Sequence, residues 1–254
     1  MSVSDRERKI EEISKKLDET PAGQLAKTNF LAILELIPMV GGLFATLTNE
    51  LIPDWKLGRL HKFAATLSVD LDDLKDRIDV EYLKREEFGY IFEKTFRAVL
   101  LYYQAEKLGA LRNALLNSML RTDVKQDVKE HLLGVIENLS TLHMGVLRVV
   151  DSGAPSTYGS GWETLRVTTM TELRTLLLRA SLPDLDRDTI RAIWNELHNY
   201  GVFSVSFDEP ILYRLHAPEE SGLEAFLALG FRDVLSKFGK LLISFVKSPK
   251  SLET

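Results

Sequence analysis

A mostly α-helical chain is the fold class that the sequence predicts, and three observations predict it. Apolar residues recur at helical spacing through the first half of the chain. Acids and serines suited to helix N-termini precede these stripes one after another. Only two β-prone runs occur, Val202–Ser206 and Ile211–Leu215, and both are short and late. The expected order is an N-terminal helical bundle over 1–139, a module with a small β-hairpin over 140–215, and a long C-terminal helix and tail over 216–254.

With 254 residues the chain can hold one large domain or two modest ones. Apolar residues make up 45% and charged residues 27%, the balance of a globular protein. A net charge of −5 supplies no global positive field to draw the whole molecule to nucleic acid or anionic lipid. The absence of cysteine excludes disulfides, thiolate metal sites and cysteine nucleophiles, and fits a reducing cytoplasm. Ahead of Phe30, acids (Asp5, Glu7, Glu11, Glu12) alternate with bases (Arg6, Arg8, Lys9, Lys15, Lys16), unlike a secretion signal, so a cytoplasmic location is expected.

In chain order, Ile10, Ile13 and Leu17 give a short first helix with a narrow stripe. Thr20-Pro21 stops and restarts the chain. Phe30–Ile52 is then strongly apolar, its only charges being Glu35 and Glu50. Its first nineteen residues average about 1.9 in hydropathy, the level of a membrane-spanning candidate. Pro38 divides it into two helices, up to Ile37 and from Val40, because proline lacks the N–H that an unbroken helix needs. Gly41-Gly42 lets another backbone come close. Leu34, Pro38, Val40, Gly41, Gly42 and Leu43 are therefore the residues of a core hairpin or of a membrane-active segment.

Asp54 can cap the next helix, with Leu57, Leu60, Ala64, Leu67, Leu71 and Leu74 on one face. Asp79 starts another, whose stripe reads Phe88, Phe92, Phe96, Val99 and Tyr103. Leu108, Leu111, Leu115 and Met119 follow, and Asp123 with Gln126 has capping-box spacing ahead of a helix over 124–138. Ser140 can cap a helix carrying Leu142, Val146, Leu147 and Val150. Residues 151–161 read as a loop, and Thr168 or Thr169 caps a helix with Leu173, Leu176 and Leu177. Asp186 or Asp188 opens a helix with Ile190, Ile193, Trp194 and Leu197, ended by Gly201.

Three helices followed by a hairpin is the order of a winged helix. On Ile190–Leu197, Gly201 and the two β-prone runs, residues 140–215 resemble the winged-helix superfamily. That resemblance implies a fold used for DNA and protein contact alike. The N-terminal half is similar to bacterial helical proteins with an Ile-Pro-x-Val-Gly-Gly segment, here Ile37–Gly42, and to the apolar helices of pore-forming effectors.

No constellation for catalysis, cofactor or metal emerges. The five histidines lack the spacing of a zinc helix. Tyr158-Gly159-Ser160-Gly161 has neither the strand nor the Lys-Ser/Thr of a phosphate loop. Asp184, Asp186 and Asp188 start like a calcium loop, but Thr189 and Asn195 stand where glycine and glutamate are needed. For DNA, Arg187, Arg191 and Asn195 are the candidate contacts, set in a net acidic module whose hairpin tip carries Asp208-Glu209. Near the C-terminus, Leu227, Phe231, Val234, Phe238, Leu241 and Phe245 alternate spacings of four and three, the seam of a helical homodimer. The function expected is that of a non-enzymatic interaction protein: a conditional membrane-active effector or adaptor with a protein-binding winged helix. A DNA-binding winged-helix regulator and a purely soluble helical scaffold are the alternatives.

Overall fold

The computed structural model describes residues 53–152, 170–208, 231 and 233–249. They form two compact units, one of the residues up to Asn138 and from Phe245 onward, the other of those within Leu139–Ser244. The described residues are mostly helical, and no strand occurs among them. No helix among them is long and apolar enough to cross a membrane. The Phe30–Ile52 stretch, with Leu34, Pro38, Val40, Gly41, Gly42 and Leu43, lies outside the described residues, as do the 151–161 loop from position 153 and the Ile211–Leu215 run.

The first unit is built around α3. Helix α1 (Asp54–Leu74) buries Leu60, Phe63, Ala64, Leu67, Leu71 and Leu74, one stripe at helical spacing. The expected cap at Asp54 is not used: Asp54 is the first helical residue, and Pro53 stands at the cap position with its carbonyl accepting from Lys56 N–H at 2.9 Å. A 3₁₀ turn (Lys75–Arg77) ends it. Asp79 caps only the short α2 (Val80–Leu83), by accepting from the N–H groups of Glu81 and Tyr82, and the aromatic helix expected to start there begins separately after Arg85. Helices α3 (Glu86–Leu101), α4 (Ala105–Leu120) and α5 (Gln126–Asn138) follow, and α3 packs on α1, α4 and α5. Its i, i+4 aromatics make a column: Tyr82 to Phe88 at 5.4 Å, Phe88 to Phe92 at 6.4 Å, Phe92 to Phe96 at 4.3 Å, and Phe96 edge-on to Phe63 at 5.5 Å. Such ring pairs add to what area burial alone supplies.

Two further local expectations need correction. Asp123 and Gln126 do not form a capping box. Asp123 takes a bidentate pair from Arg121, while Gln126 donates to the Glu87 carbonyl and accepts from Tyr82 Oη–H. Tyr103 does not join the α3 stripe. The helix ends at Leu101, and the extended backbone of Tyr102 (φ −100°, ψ 146°) turns the next residue off the apolar face.

The second unit packs α6 (Thr141–Ser152), α7 (Met170–Ser181) and α8 (Arg187–Asn199) against one another. Asp186 caps α8 by accepting from Thr189 N–H at 2.7 Å. Gly201, at φ +73°, closes it: its N–H donates to His198 O and the Val202 N–H to Leu197 O, both at 2.9 Å. These two bonds form a Schellman motif. The expected first arm of a hairpin, Val202–Ser206, is not a strand. Its backbone pairs with 234–236 at only two bonds, Ser204 N–H to Val234 O at 2.8 Å and Ser236 N–H to Val202 O at 3.0 Å. Side chains take two further carbonyls: Trp194 Nε1–H donates to Val205 O at 3.0 Å and Arg174 Nη1 to Ser206 O at 2.8 Å. Phe203 makes a single antiparallel bridge, to Leu235. Trp194 is the centre of this core, with Phe203 and Phe207 at 4.4 and 5.7 Å.

The C-terminal helix also differs from expectation. Within the described residues α9 runs only from Lys237 to Val246. Asp233 sits at φ +54°, which no right-handed helix admits, so Phe231 and Val234 do not share a helix with Phe238, Leu241 and Phe245. The proposed seam is therefore not one helical stripe, and Leu227 lies outside the described residues. Phe231, Val234 and Phe245 are already buried within the single chain.

Gly239 explains how α9 can approach the 202–206 segment. A Cβ there would meet Val202 O at 2.1 Å, so only glycine fits. Gly109 in α4, by contrast, faces open space. Gly239→Ala should lower the stability measured by urea titration by about 2 kcal/mol, the cost of overpacking against an immovable carbonyl. Gly109→Ala should raise it by about 0.5–1 kcal/mol through helix propensity alone.

Candidate functional site

Three large apolar side chains stand out in water on the first unit: Trp55, Leu101 and Tyr103, at 64%, 69% and 75% exposure. They are linked through the half-buried residues between them. The Arg59 guanidinium stacks on the Trp55 ring at 5.0 Å and donates to the Tyr102 carbonyl. Lys56 Nζ lies over the same indole at 5.5 Å. Tyr102 itself is held at three points: its carbonyl by Arg59, its hydroxyl by donation to Glu137 O at 2.8 Å, and its ring by Lys107 Nζ at 4.6 Å. With Tyr102 fixed in the break between α3 and α4, its neighbours on either side are held outward. The result is a rigid aromatic shelf flanked by two cations.

The anchor beneath the shelf is a buried lysine. Lys107 Nζ donates to Glu137 O at 2.8 Å, and burial lowers its pKa to about 8. Lys129 repeats the arrangement over Tyr82, with Nζ 4.0 Å from the centre of that ring and 2.8 Å from Ser118 O, its pKa also lowered to about 8 by burial. Arg174 does the same in the second unit, over Trp194 at 4.9 Å. Each is a cation that could not be buried without a ring face and a carbonyl to replace water.

The sequence-derived contact residues of α8 are placed differently. Arg187 and Asn195 are exposed. Arg191 Nη2 is taken by Asp208 Oδ1 at 2.9 Å, a pairing that raises the arginine pKa further. Asp188 and Glu196 are exposed on the same helix. Glu196 Oε2 also lies 3.0 Å from Nε2 of the buried His143. The other ring nitrogen of His143 is 2.7 Å from Ser140 Oγ and accepts from Ser140 N–H at 3.2 Å. Serine, imidazole and carboxylate are the residue types of a nucleophile relay. Here they form a reciprocal cap at the start of α6, with histidine in the place that glutamate takes in a capping box. Among the described residues, no three His, Asp or Glu side chains are grouped as metal ligands.

The shelf was not anticipated from the sequence, although a signal for it exists. Val99-Leu100-Leu101-Tyr102-Tyr103 puts more apolar surface in succession than one helix face can bury, so part of it must leave the core. The buried cations had a signal too. Lys107 shares a helical stripe with Leu111 and Ala114, and Lys129 with Leu132, Leu133 and Ile136.

Stability should follow the two lysines. Their folded pKa, about 8, lies below the ordinary 10.5, so between these values the unfolded chain binds more protons and stability rises with pH. Below about pH 8 both states are protonated and the cost of burying the charge is present in full. Burial, aided by Glu87 and Glu130, raises the Tyr82 phenol above its usual 10.0, which reverses the trend once unfolded tyrosine ionises. Thermal melts should therefore show Tm climbing from pH 8 toward 10 and then falling. In Lys107→Met/Lys129→Met the climb should be absent. An unchanged climb in that variant would disprove the assignment.

Comparison of the chain with protein-family models, with curated proteins and with solved structures finds no match.

Proposed function

We propose that this chain is a non-enzymatic interaction protein, an effector or adaptor that becomes membrane-active when its Phe30–Ile52 stretch is freed, with the second unit serving protein contact. The observation that carries the reading is the aromatic shelf. Leaving Trp55, Leu101 and Tyr103 in water forgoes burial worth roughly 1.5–3 kcal/mol per large apolar side chain. The surrounding bonds stiffen the shelf without covering it. Exposed apolar surface rimmed by polar groups marks an interaction site. The apolar stretch just ahead of α1 supplies the membrane-active element, by its hydropathy and its paired glycines.

Leakage of dye from liposomes tests this. Wild-type protein should release dye, and Val40→Glu or Gly41→Leu should suppress the release. No leakage across a range of pH and lipid charge, together with harmless expression in cells, would leave the purely soluble scaffold as the better reading.

The DNA-binding alternative rests on Arg187, Arg191 and Asn195. The Arg191–Asp208 pair and the exposed Asp188 and Glu196 weigh against it, because phosphate neutralisation supplies most non-specific affinity. Titration with duplex DNA near physiological salt should give weak binding that Arg187→Ala/Arg191→Ala leaves unchanged. Tight, sequence-dependent binding lost in that variant would reverse the ranking.

A further inference from the structure

Trp55, Leu101 and Tyr103, with Lys56 and Arg59 beside them, are a residue set with one favoured surrounding. Indole and phenol rings are apolar bodies with a polar edge and settle at the headgroup level of a bilayer. Lysine and arginine lay their stems along apolar surface while their charged ends reach water or phosphate. We infer that this shelf is the face by which the first unit docks on a lipid bilayer, its rings seated among the headgroups. The inference rests on the membrane-active reading above and adds to it the surface that makes the contact.

Two further observations favour a bilayer over a protein partner, and a third lowers the cost of docking. Only Pro53 and Asp54 stand between Ile52 and Trp55, so Trp55 is tethered within about 10 Å of the end of the apolar stretch, wherever that stretch goes. A shelf seated at the surface would hold the stretch at the hydrocarbon boundary. Size argues the same way. A stable protein interface needs roughly 800 Å² on each side, whereas the shelf offers three large side chains of about 150–250 Å² or less. A surface too small to hold a protein suffices as an anchor beside a second, larger apolar element. Finally, the anchoring of Tyr102 fixes Leu101 and Tyr103 before contact, so little ordering cost is incurred on docking.

Charge plays the lesser part. Over 54–59 the sequence sets Asp54 against Lys56 and Arg59, so the net positive charge beside Trp55 is small. Docking through the rings should therefore survive salt that would dissolve a purely electrostatic contact.

The test uses the full chain and sedimentation with sucrose-loaded vesicles of phosphatidylcholine, with and without phosphatidylglycerol, scored beside dye release. Trp55→Ser/Tyr103→Ser should weaken vesicle binding about tenfold or more, equivalent to about 1.4 kcal/mol. Its thermal melt should match wild type, because both side chains lie in water. Tyr90→Ser, which alters an exposed aromatic elsewhere on α3, should bind as wild type does. Binding should persist in salt, and inorganic phosphate should not compete. Competition by phosphate, or equal weakening by Tyr90→Ser, would overturn the shelf as a docking face. If wild type and the shelf variant bind and leak alike, docking lies elsewhere and the membrane-active reading stands. Shelf-dependent binding without leakage would keep the docking face and remove the membrane-active reading. No vesicle binding by wild type would remove both.

Discussion

Every helix that stops inside a packed protein leaves carbonyl groups with no N–H ahead of them, and water cannot reach those that are buried. Here that constraint organises the first unit. Helices α3, α4, α5 and α9 carry no basic residue in their last turns, so none supplies a cation to its own negative end. Neighbouring elements supply donors instead. Lys129 reaches Ser118 O at the end of α4, Lys107 reaches Glu137 O at the end of α5, and Arg59 reaches Tyr102 O just past α3. Also within the first unit, Asn113 donates to Val246 O, and Asn117 to Phe245 O and Lys247 O. In the second unit the carbonyls in need belong to an irregular segment, not to a helix end, and Arg174 and Trp194 serve those of Val205, Ser206 and Phe207.

In the first unit each donor comes from a different helix, so satisfying a helix end also fixes where the neighbouring helix lies. That is why the aromatic shelf is rigid. The bonds that complete the α3 and α5 termini are the bonds that immobilise Tyr102, and Tyr102 determines the direction of its neighbours. The same logic accounts for the lowered pKa of Lys107 and Lys129. A carbonyl and a ring face replace water well enough to bury an ammonium, yet poorly enough that its proton is lost near pH 8.

The helices of both units were legible in the sequence because each has its apolar stripe, and Asp79, Ser140, Asp186 and Gly201 marked ends that the structure uses. What escaped was whatever depends on partners far along the chain. Val202–Ser206 has the composition of a strand, but it lies against Trp194 and Arg174, whose donors claim the carbonyls of Val205 and Ser206. The seam from Phe231 to Phe245 has perfect spacing for one helix and is interrupted by Asp233, a residue type that tolerates left-handed backbone. Tyr103 continues the α3 stripe by spacing, and only the anchoring of Tyr102 shows why the helix ends two residues before it. For the shelf, composition hinted at excess apolar surface without saying which residues would carry it.

The Glu137 carbonyl receives two donors, the Lys107 ammonium and the Tyr102 hydroxyl, both at 2.8 Å. Either one alone keeps that oxygen from being stranded. Loss of the first donor therefore costs one bond, and loss of the second leaves a bare acceptor, so the two positions are coupled more strongly together than apart. Over evolutionary time such a doubly served oxygen acts as a hedge. Drift at Lys107 is survivable while Tyr102 stays, whereas loss of Tyr102 also strips the buried ammonium of its ring face, so the order in which the two positions can change is fixed.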